Sequence, residues 1–190
     1  MIKLESPFKE ETIRSLRVGD SISLSGKVFT GRDRFHKHLA DGGECPVEMR
    51  DAALFHCGPV MVPDGDGWRV AAAGPTTSIR EEPYEAFAIE KLGLRVIIGK
   101  GGMGERTAEA CRRFGCVYLQ AVGGAAALIA DRVVRVNGVS FLEEFGATEA
   151  VWEFEFENLS AVVGIDAAGG DIFAETRRTS TAELRGLTGK

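Results

Sequence analysis

The sequence predicts an α/β fold in which one parallel and one antiparallel sheet lie with a layer of helices. Residues 94–136 alternate short apolar runs with helix-patterned runs in the order βαβαβ, and right-handed crossovers make such strands parallel with their helices on one side. Beyond Gly146 the pattern becomes strict alternation, in AVWEFEFENL and AVVGIDAAGGDIF, which is the period of antiparallel strands with one buried face. Between the first strand and helix of the parallel unit stands a glycine loop, residues 99–104, with backbone freedom closed to other residues.

A chain of 190 residues buries roughly 70% of its unfolded surface, enough for one domain without disulfide staples. We assign residues 1–175 to that domain and 176–190, poor in apolar residues, to a flexible tail. A net charge of -5 without long charge runs disfavours nucleic acid and anionic membranes as partners. No stretch reaches about 18 apolar residues and MIKLESPFKEE lacks a signal-peptide core, so a cytoplasmic protein is expected. Cys45, Cys57, Cys111 and Cys116 form no C-x-x-C pair, and His36, His38 and His56 show no zinc-finger spacing; no metal is expected on this chain.

In order, residues 1–4 read as a short strand, 12–16 as a turn or two of helix ended by Gly19, and 21–29 as a half-buried strand. A dense run of ionisable side chains at 30–39 then begins a helix capped by Thr30 or Asp33. Arg32 falls at the junction of strand and helix, where functional groups of layered α/β folds collect; a solvated helix face is the alternative. Residues 53–61 and 68–73 form a hairpin across PDGDG. It delivers Pro75, Thr76, Thr77, Ser78 and Arg80 directly after a strand, a set of hydroxyls and a guanidinium that suits a carboxylate; an ordinary capped turn is the alternative. Residues 83–92 form an amphipathic helix, ended at Gly93, with Tyr84, Phe87, Ala88 and Leu92 on one face.

Residues 94–98 are a buried strand, 99–104 the glycine loop and 105–114 a helix. First-turn N–H groups and the helix dipole favour an anion at such a loop, and Lys100 adds a cation. Gly99, Gly101 and Gly104 spell a dinucleotide fingerprint, but no acidic residue follows from 116 to 130 to hold a ribose. A small carboxylate or phosphate site, and a βα turn that binds nothing, both stay open. A strand at 116–120, a helix at 123–130 and a strand at 132–136 complete the parallel unit, and the last two strands make a hairpin turning near Asn158.

With SGKVFTGRDRFHKHL, AAGPTTSIR, VIIGKGGM and AVVGIDAAGGDIF in this order, the chain resembles the β subunit, or C-terminal domain, of class I fumarases and tartrate dehydratases over nearly its whole length. The resemblance implies a swivelling β/β/α domain of three layers. It implies a hydro-lyase acting on a four-carbon dicarboxylate, foremost fumarate to (S)-malate, with L-tartrate or mesaconate as alternatives. A four-iron four-sulfur cluster is then expected on a partner α subunit, none on this chain, and the working form is a hetero-oligomer, with a homodimer the alternative for the isolated chain. Carried over by motif, Arg32, Thr76, Thr77, Arg80, Lys100 and Gly101 are expected to bind substrate, with Thr76 and Lys100 catalytic. Glu81 departs from the pattern, standing where many relatives have an apolar residue, often methionine. A non-catalytic anion-binding regulatory module would use the same residues, and a Rossmann-type oxidoreductase would need nicotinamide binding.

Overall fold

The computed structural model describes residues 1–189. The strands are β1 (Ile2–Glu5), β2 (Ser21–Thr30), β3 (Ala53–Phe55), β4 (Val60–Asp64), β5 (Gly67–Ala72), β6 (Val96–Gly99), β7 (Val117–Gln120), β8 (Val133–Ser140) and β9 (Val151–Ile165). The helices are α1 (Glu10–Ser15), α2 (Asp33–Ala40), α3 (Glu82–Leu92), α4 (Glu105–Phe114), α5 (Ala126–Ala130), α6 (Leu142–Phe145) and α7 (Ile172–Thr188), with a 3₁₀ turn at Ser78–Glu81 before α3.

Seven strands form one sheet in the order β1-β2-β3-β6-β7-β9-β8, and β9 also pairs with β2, closing β2, β3, β6, β7 and β9 into a barrel of 5 strands. The pairs β1–β2, β2–β3, β3–β6 and β6–β7 are parallel, and every pair involving β9 is antiparallel. The expectation of two sheets therefore changes: parallel and antiparallel pairing coexist in one closed sheet, and the separate antiparallel sheet is only the β4–β5 hairpin.

β3, β6 and β7 read as unbroken apolar runs because both of their faces are buried. Ala53, Phe55, Val96, Ile98, Val117 and Leu119 enter one core, with Trp152, Phe154 and Phe156 of β9. The alternate residues Leu54, Ile97 and Tyr118 enter a second core with Phe35 and Leu39 of α2, Ala88 and Ile89 of α3, and Ala110 and Cys111 of α4.

Four sequence expectations need correction. The strand after α5 does not extend the parallel set: β8, half exposed along its length, is an edge strand antiparallel to β9, and β9 takes the place beside β7 with Val163 opposite Leu119. The residues around Asn158 make no hairpin turn. β9 runs through them as one strand of 15 residues, and Asn158, at φ 57, sits in a bulge where the β2 pairing shifts register between Leu24 and Gly26. Residues 53–61 are not one strand, because β3 stops at Phe55 and the chain turns through Gly58 and Pro59 before β4. The tail from 176 lies in helix, with Lys190 outside the described residues. Asp171 caps α7 by accepting bonds from Phe173 N and Ala174 N, and Phe173 sets its ring edge-on to Tyr118 at 5.8 Å, though no residue of α7 is buried.

Candidate active site

β2, β3 and β6 are parallel neighbours, so their C-terminal ends meet at one edge, about 4.8 Å apart from strand to strand. In open α/β sheets that edge carries ligands. After β2 comes Gly31, whose N–H bonds Phe55 O at 3.0 Å. A Cβ there would lie 2.7 Å from the Phe35 ring, so glycine lets α2 start immediately with Arg32 at its N-cap. Thr30 and Asp33 do not cap α2 as expected. The Thr30 hydroxyl is occupied by the neighbouring β9 segment, donating to Ala150 O and accepting from Trp152 N.

After β3, His56 O accepts Thr76 N at 2.7 Å. After β6, Lys100 N donates to Thr76 O at 3.3 Å and Lys100 O accepts Ser78 N at 3.0 Å. Thr76, Thr77 and Lys100 are thereby locked side by side through their backbones. Gly101 follows in the left-handed region at φ 79, with a Cβ at this position 3.8 Å from Thr77 Cγ2, which leaves the space above the threonines open.

Arg32 and Arg80 meet around one carboxylate. Asp33 accepts Arg80 Nε at 3.1 Å and a second, close bond from Arg80 Nη2, and it lies 3.4 Å from Arg32 Nη2. Burial would raise the Asp33 carboxyl, but the two guanidiniums, Arg80 first, hold it below the ordinary aspartate value. Arg32 also faces Glu149, with Nε 2.9 Å from Oε1. A Cβ at Gly58 would strike Arg32 Nη1 and stand 2.9 Å from Thr148 O, so Gly58 makes room for this guanidinium. Two carboxylates thus partner the two arginines, whereas Lys100 makes no ion pair among the described residues. The structure brings all six expected residues, Arg32, Thr76, Thr77, Arg80, Lys100 and Gly101, to this one edge.

The first-turn N–H groups of α4, which the sequence marks as favouring an anion, are occupied in the structure. The chain supplies its own. The Glu82 carboxylate accepts Gly104 N at 2.7 Å, Arg106 N at 2.9 Å and Thr107 Oγ1 at 2.6 Å, filling the place where a dinucleotide's phosphates would sit.

Beneath this edge lies a buried polar network that the sequence reading missed. His36, His56, Ser78, Glu81 and Glu85 are all fully buried. Glu85 Oε2 is 2.9 Å from both His36 Nε2 and His56 Nε2. His36 Nδ1 is 2.9 Å from Arg32 O, His56 Nδ1 is 3.0 Å from Ser78 Oγ, and Tyr118 Oη donates to the same Ser78 hydroxyl at 3.0 Å. The buried face of α3 is therefore Glu85, Ala88, Ile89 and Leu92, while Phe87 is exposed; the helix turns a carboxylate inward because two imidazoles wait for it. Glu81 lies in the same network, with Oε2 3.5 Å from His36 Nδ1, and not at the open edge. Burial would lower the His36 imidazole, but Glu85 and then Glu81 raise it to about 9. Burial would raise Glu85, but His56 and His36 bring it down to about 2.

His36, His56 and Glu85 are also the grouping of potential metal ligands among the described residues, with their ligand atoms within 4.8 Å of one another. A cation there would have to displace the bonds these groups make to each other. All four cysteines are free, Cys57, Cys111 and Cys116 are buried, and burial pushes the Cys57 thiol up to about 12. Among the described residues no three cysteines come together as ligands; the grouping found is His36, His56 and Glu85. No helix among the described residues is long and apolar enough to cross a membrane.

A family model described as Fumarase C-terminus matches residues 1–176. A putative fumarate hydratase class I of Geobacillus stearothermophilus is 45% identical over 185 residues, which are 97% of this chain and 36% of that protein. A putative L(+)-tartrate dehydratase subunit beta of Methanocaldococcus jannaschii is 36% identical over 95% of each chain. The L(+)-tartrate dehydratase subunit beta of Escherichia coli K12 is 35% identical over 92% of this chain and 88% of its own. The chain spans about a third of the first relative's length and nearly all of the other two.

Proposed function

The chain belongs to the fumarase C-terminus family, and on that premise we propose that it is the β component of a hydro-lyase adding water across the double bond of a four-carbon dicarboxylate. The observation that carries this reading is the edge itself, where unpaired Lys100 stands beside Thr76 and Thr77 with Arg32 and Arg80 adjacent. Lys100 takes one substrate carboxylate directly. Arg80, about half exposed and paired with Asp33, exchanges that partner for the second carboxylate at small cost, since exposed ion pairs are worth about 0–1 kcal/mol. Arg32 lies next to it as the second guanidinium.

As a proton leaves the carbon beside a carboxylate, negative charge gathers on that carboxylate, and the three cations stabilise it. Thr76 is placed for the proton at this carbon, and because a threonine hydroxyl is a poor base it acts with a neighbour from the partner. An iron–sulfur cluster on a partner α subunit would supply a Lewis acid for the substrate hydroxyl.

Fumarate is the first substrate, by the 45% identity to a protein named a fumarate hydratase. L-tartrate is the second reading, because the two β subunits named for tartrate match this chain over nearly their full length. The test mixes this chain with a cluster-bearing α subunit and follows loss of fumarate absorbance, with L-tartrate and mesaconate in parallel. Turnover by the mixture and by neither part alone is expected. Activity of this chain by itself would sink the division between two components, and no dicarboxylate turned over by the mixture would sink the reading and leave a non-catalytic anion-binding module.

A further inference from the structure

The strongest feature left unused by that reading is the buried network under the edge. Its atoms run continuously from one substrate-facing segment to the next. Arg32 O meets His36 Nδ1, His36 Nε2 meets Glu85, Glu85 meets His56 Nε2, and His56 Nδ1 meets Ser78 Oγ. Ser78 N then bonds Lys100 O, and His56 O holds Thr76 N. We propose that His36, Glu85, His56 and Ser78 are positioning residues for the carboxylate clamp, fixing the segments of Arg32, Thr76 and Lys100 relative to one another; this rests on the hydro-lyase reading above.

The protonation pattern follows from donors and acceptors alone. A carboxylate and a carbonyl only accept. Because His36 lies between Glu85 and Arg32 O, both of its nitrogens must carry hydrogen, so it is an imidazolium. His56 donates from Nε2 to Glu85, its Nδ1 shares a hydrogen bond with the Ser78 hydroxyl, and Ser78 accepts from Tyr118. Every link has one donor and one acceptor. The geometry also demands small residues around it, since a Cβ at Gly99 would land on the Ser78 hydroxyl.

Loss of the His36 proton must break the bond either to Glu85 or to Arg32 O. The charged groups facing His36 are Glu85 and Glu81, and the His56 ring lies edge-on at 5.2 Å. The carboxylate of Glu85 thus keeps His36 tied to the Arg32 backbone across neutral pH. Replacing it by an amide of the same shape removes that hold without emptying the site. A shift of about 1 Å in a clamp group costs on the order of 100-fold in rate.

Glu85→Gln and Ser78→Ala would be compared with wild type and Lys100→Met in the reconstituted enzyme. For Glu85→Gln we expect kcat/KM per folded enzyme to fall about 10-fold to 100-fold, and its alkaline limb to move toward neutrality. Ser78→Ala, which deletes one oxygen and keeps the His36 ion pair, should lower kcat/KM less and leave the limb in place. A purely structural role would lower the amount of folded enzyme while kcat/KM per folded enzyme and the pH profile stay unchanged; that result overturns the proposal. Zinc or iron bound stoichiometrically by the isolated wild-type chain and lost from Glu85→Gln would also overturn it, since a metal would then hold these side chains. If wild type turns over no dicarboxylate, the hydro-lyase reading has failed. If wild type is active while Glu85→Gln keeps wild-type kcat/KM and limb, only the positioning proposal has failed.

Discussion

Replacing Lys100 by methionine separates binding chemistry from folding more cleanly than any other change at the edge. The position is held by main-chain bonds, Lys100 N to Thr76 O and Ser78 N to Lys100 O, which the substitution leaves intact. The side chain makes no ion pair among the described residues, and its Cδ lies 3.4 Å from a Cβ position at Gly123, so the stem packs over small residues that a methionine can also cover. The melting temperature should therefore stay within a few degrees of wild type.

The loss on substrate is larger. A hydrogen bond from an ammonium to a carboxylate contributes about 1.5–3 kcal/mol, or roughly 10-fold to 150-fold in kcat/KM. The α4 N-terminus cannot substitute for the missing charge, because Glu82 already occupies its N–H groups. If Lys100 acts chiefly on the charge that builds in the transition state, kcat falls together with kcat/KM, and this is the expected pattern; equal binding of substrate and transition state would raise KM alone. Steady-state kinetics of the reconstituted variant, with a thermal melt as folding control, decides between them. A normally folded variant with near-normal kcat/KM would remove Lys100 from the site.

Glu82→Ala should lose a helix cap worth about 1–2 kcal/mol, lowering the melting temperature by about 2–8 °C, and phosphate at millimolar concentration should restore part of it by binding the vacated N–H groups; an unchanged melt would show that the cap contributes nothing. The His36–Glu85 pair gives stability a defined pH window. His36 is raised from 6.5 to about 9, so its contribution is complete below pH 6.5 and lost as pH rises through 9. Glu85 is lowered from 4.5 to about 2, so its contribution is complete above pH 4.5 and lost as pH falls toward 2. Denaturant melts should be most stable between about pH 4.5 and 6.5, and His36→Gln should flatten the alkaline slope; a wild type as stable at pH 9.5 as at pH 6 would contradict the ion pair.

The residues at the edge were legible because each follows a strand in sequence: Arg32 comes two residues after an alternating run ends, Thr76 after a hairpin and Lys100 after three apolar residues and a glycine. Local pattern places such residues at strand ends, and parallel pairing gathers strand ends at one edge. The bulge at Asn158 was legible too, had phase been followed. Trp152, Phe154 and Phe156 are buried on even numbers, Leu159, Ala161 and Val163 on odd ones, and a one-residue slip of phase within continuing alternation marks a bulge where a turn would interrupt the run. The barrel closure was not legible, because nothing local tells β9 to pair with β2 as well as β7.

The buried network was hidden for a different reason. Reading a helix by apolar spacing assigns its inward face to aromatic residues, and on α3 that choice favours Tyr84 and Phe87 over a glutamate. The rule fails where an inward carboxylate is matched by a partner from another element, here histidines supplied from α2 and from the end of β3. Glu81 shows the same logic at one remove. A carboxylate with neither oxygen hydrogen-bonded is costly at a fully buried site, and burial raises the Glu81 carboxyl; the His36 imidazolium, 3.5 Å away, opposes that rise. Glu81 therefore bears on the charge state of the network that holds Arg32.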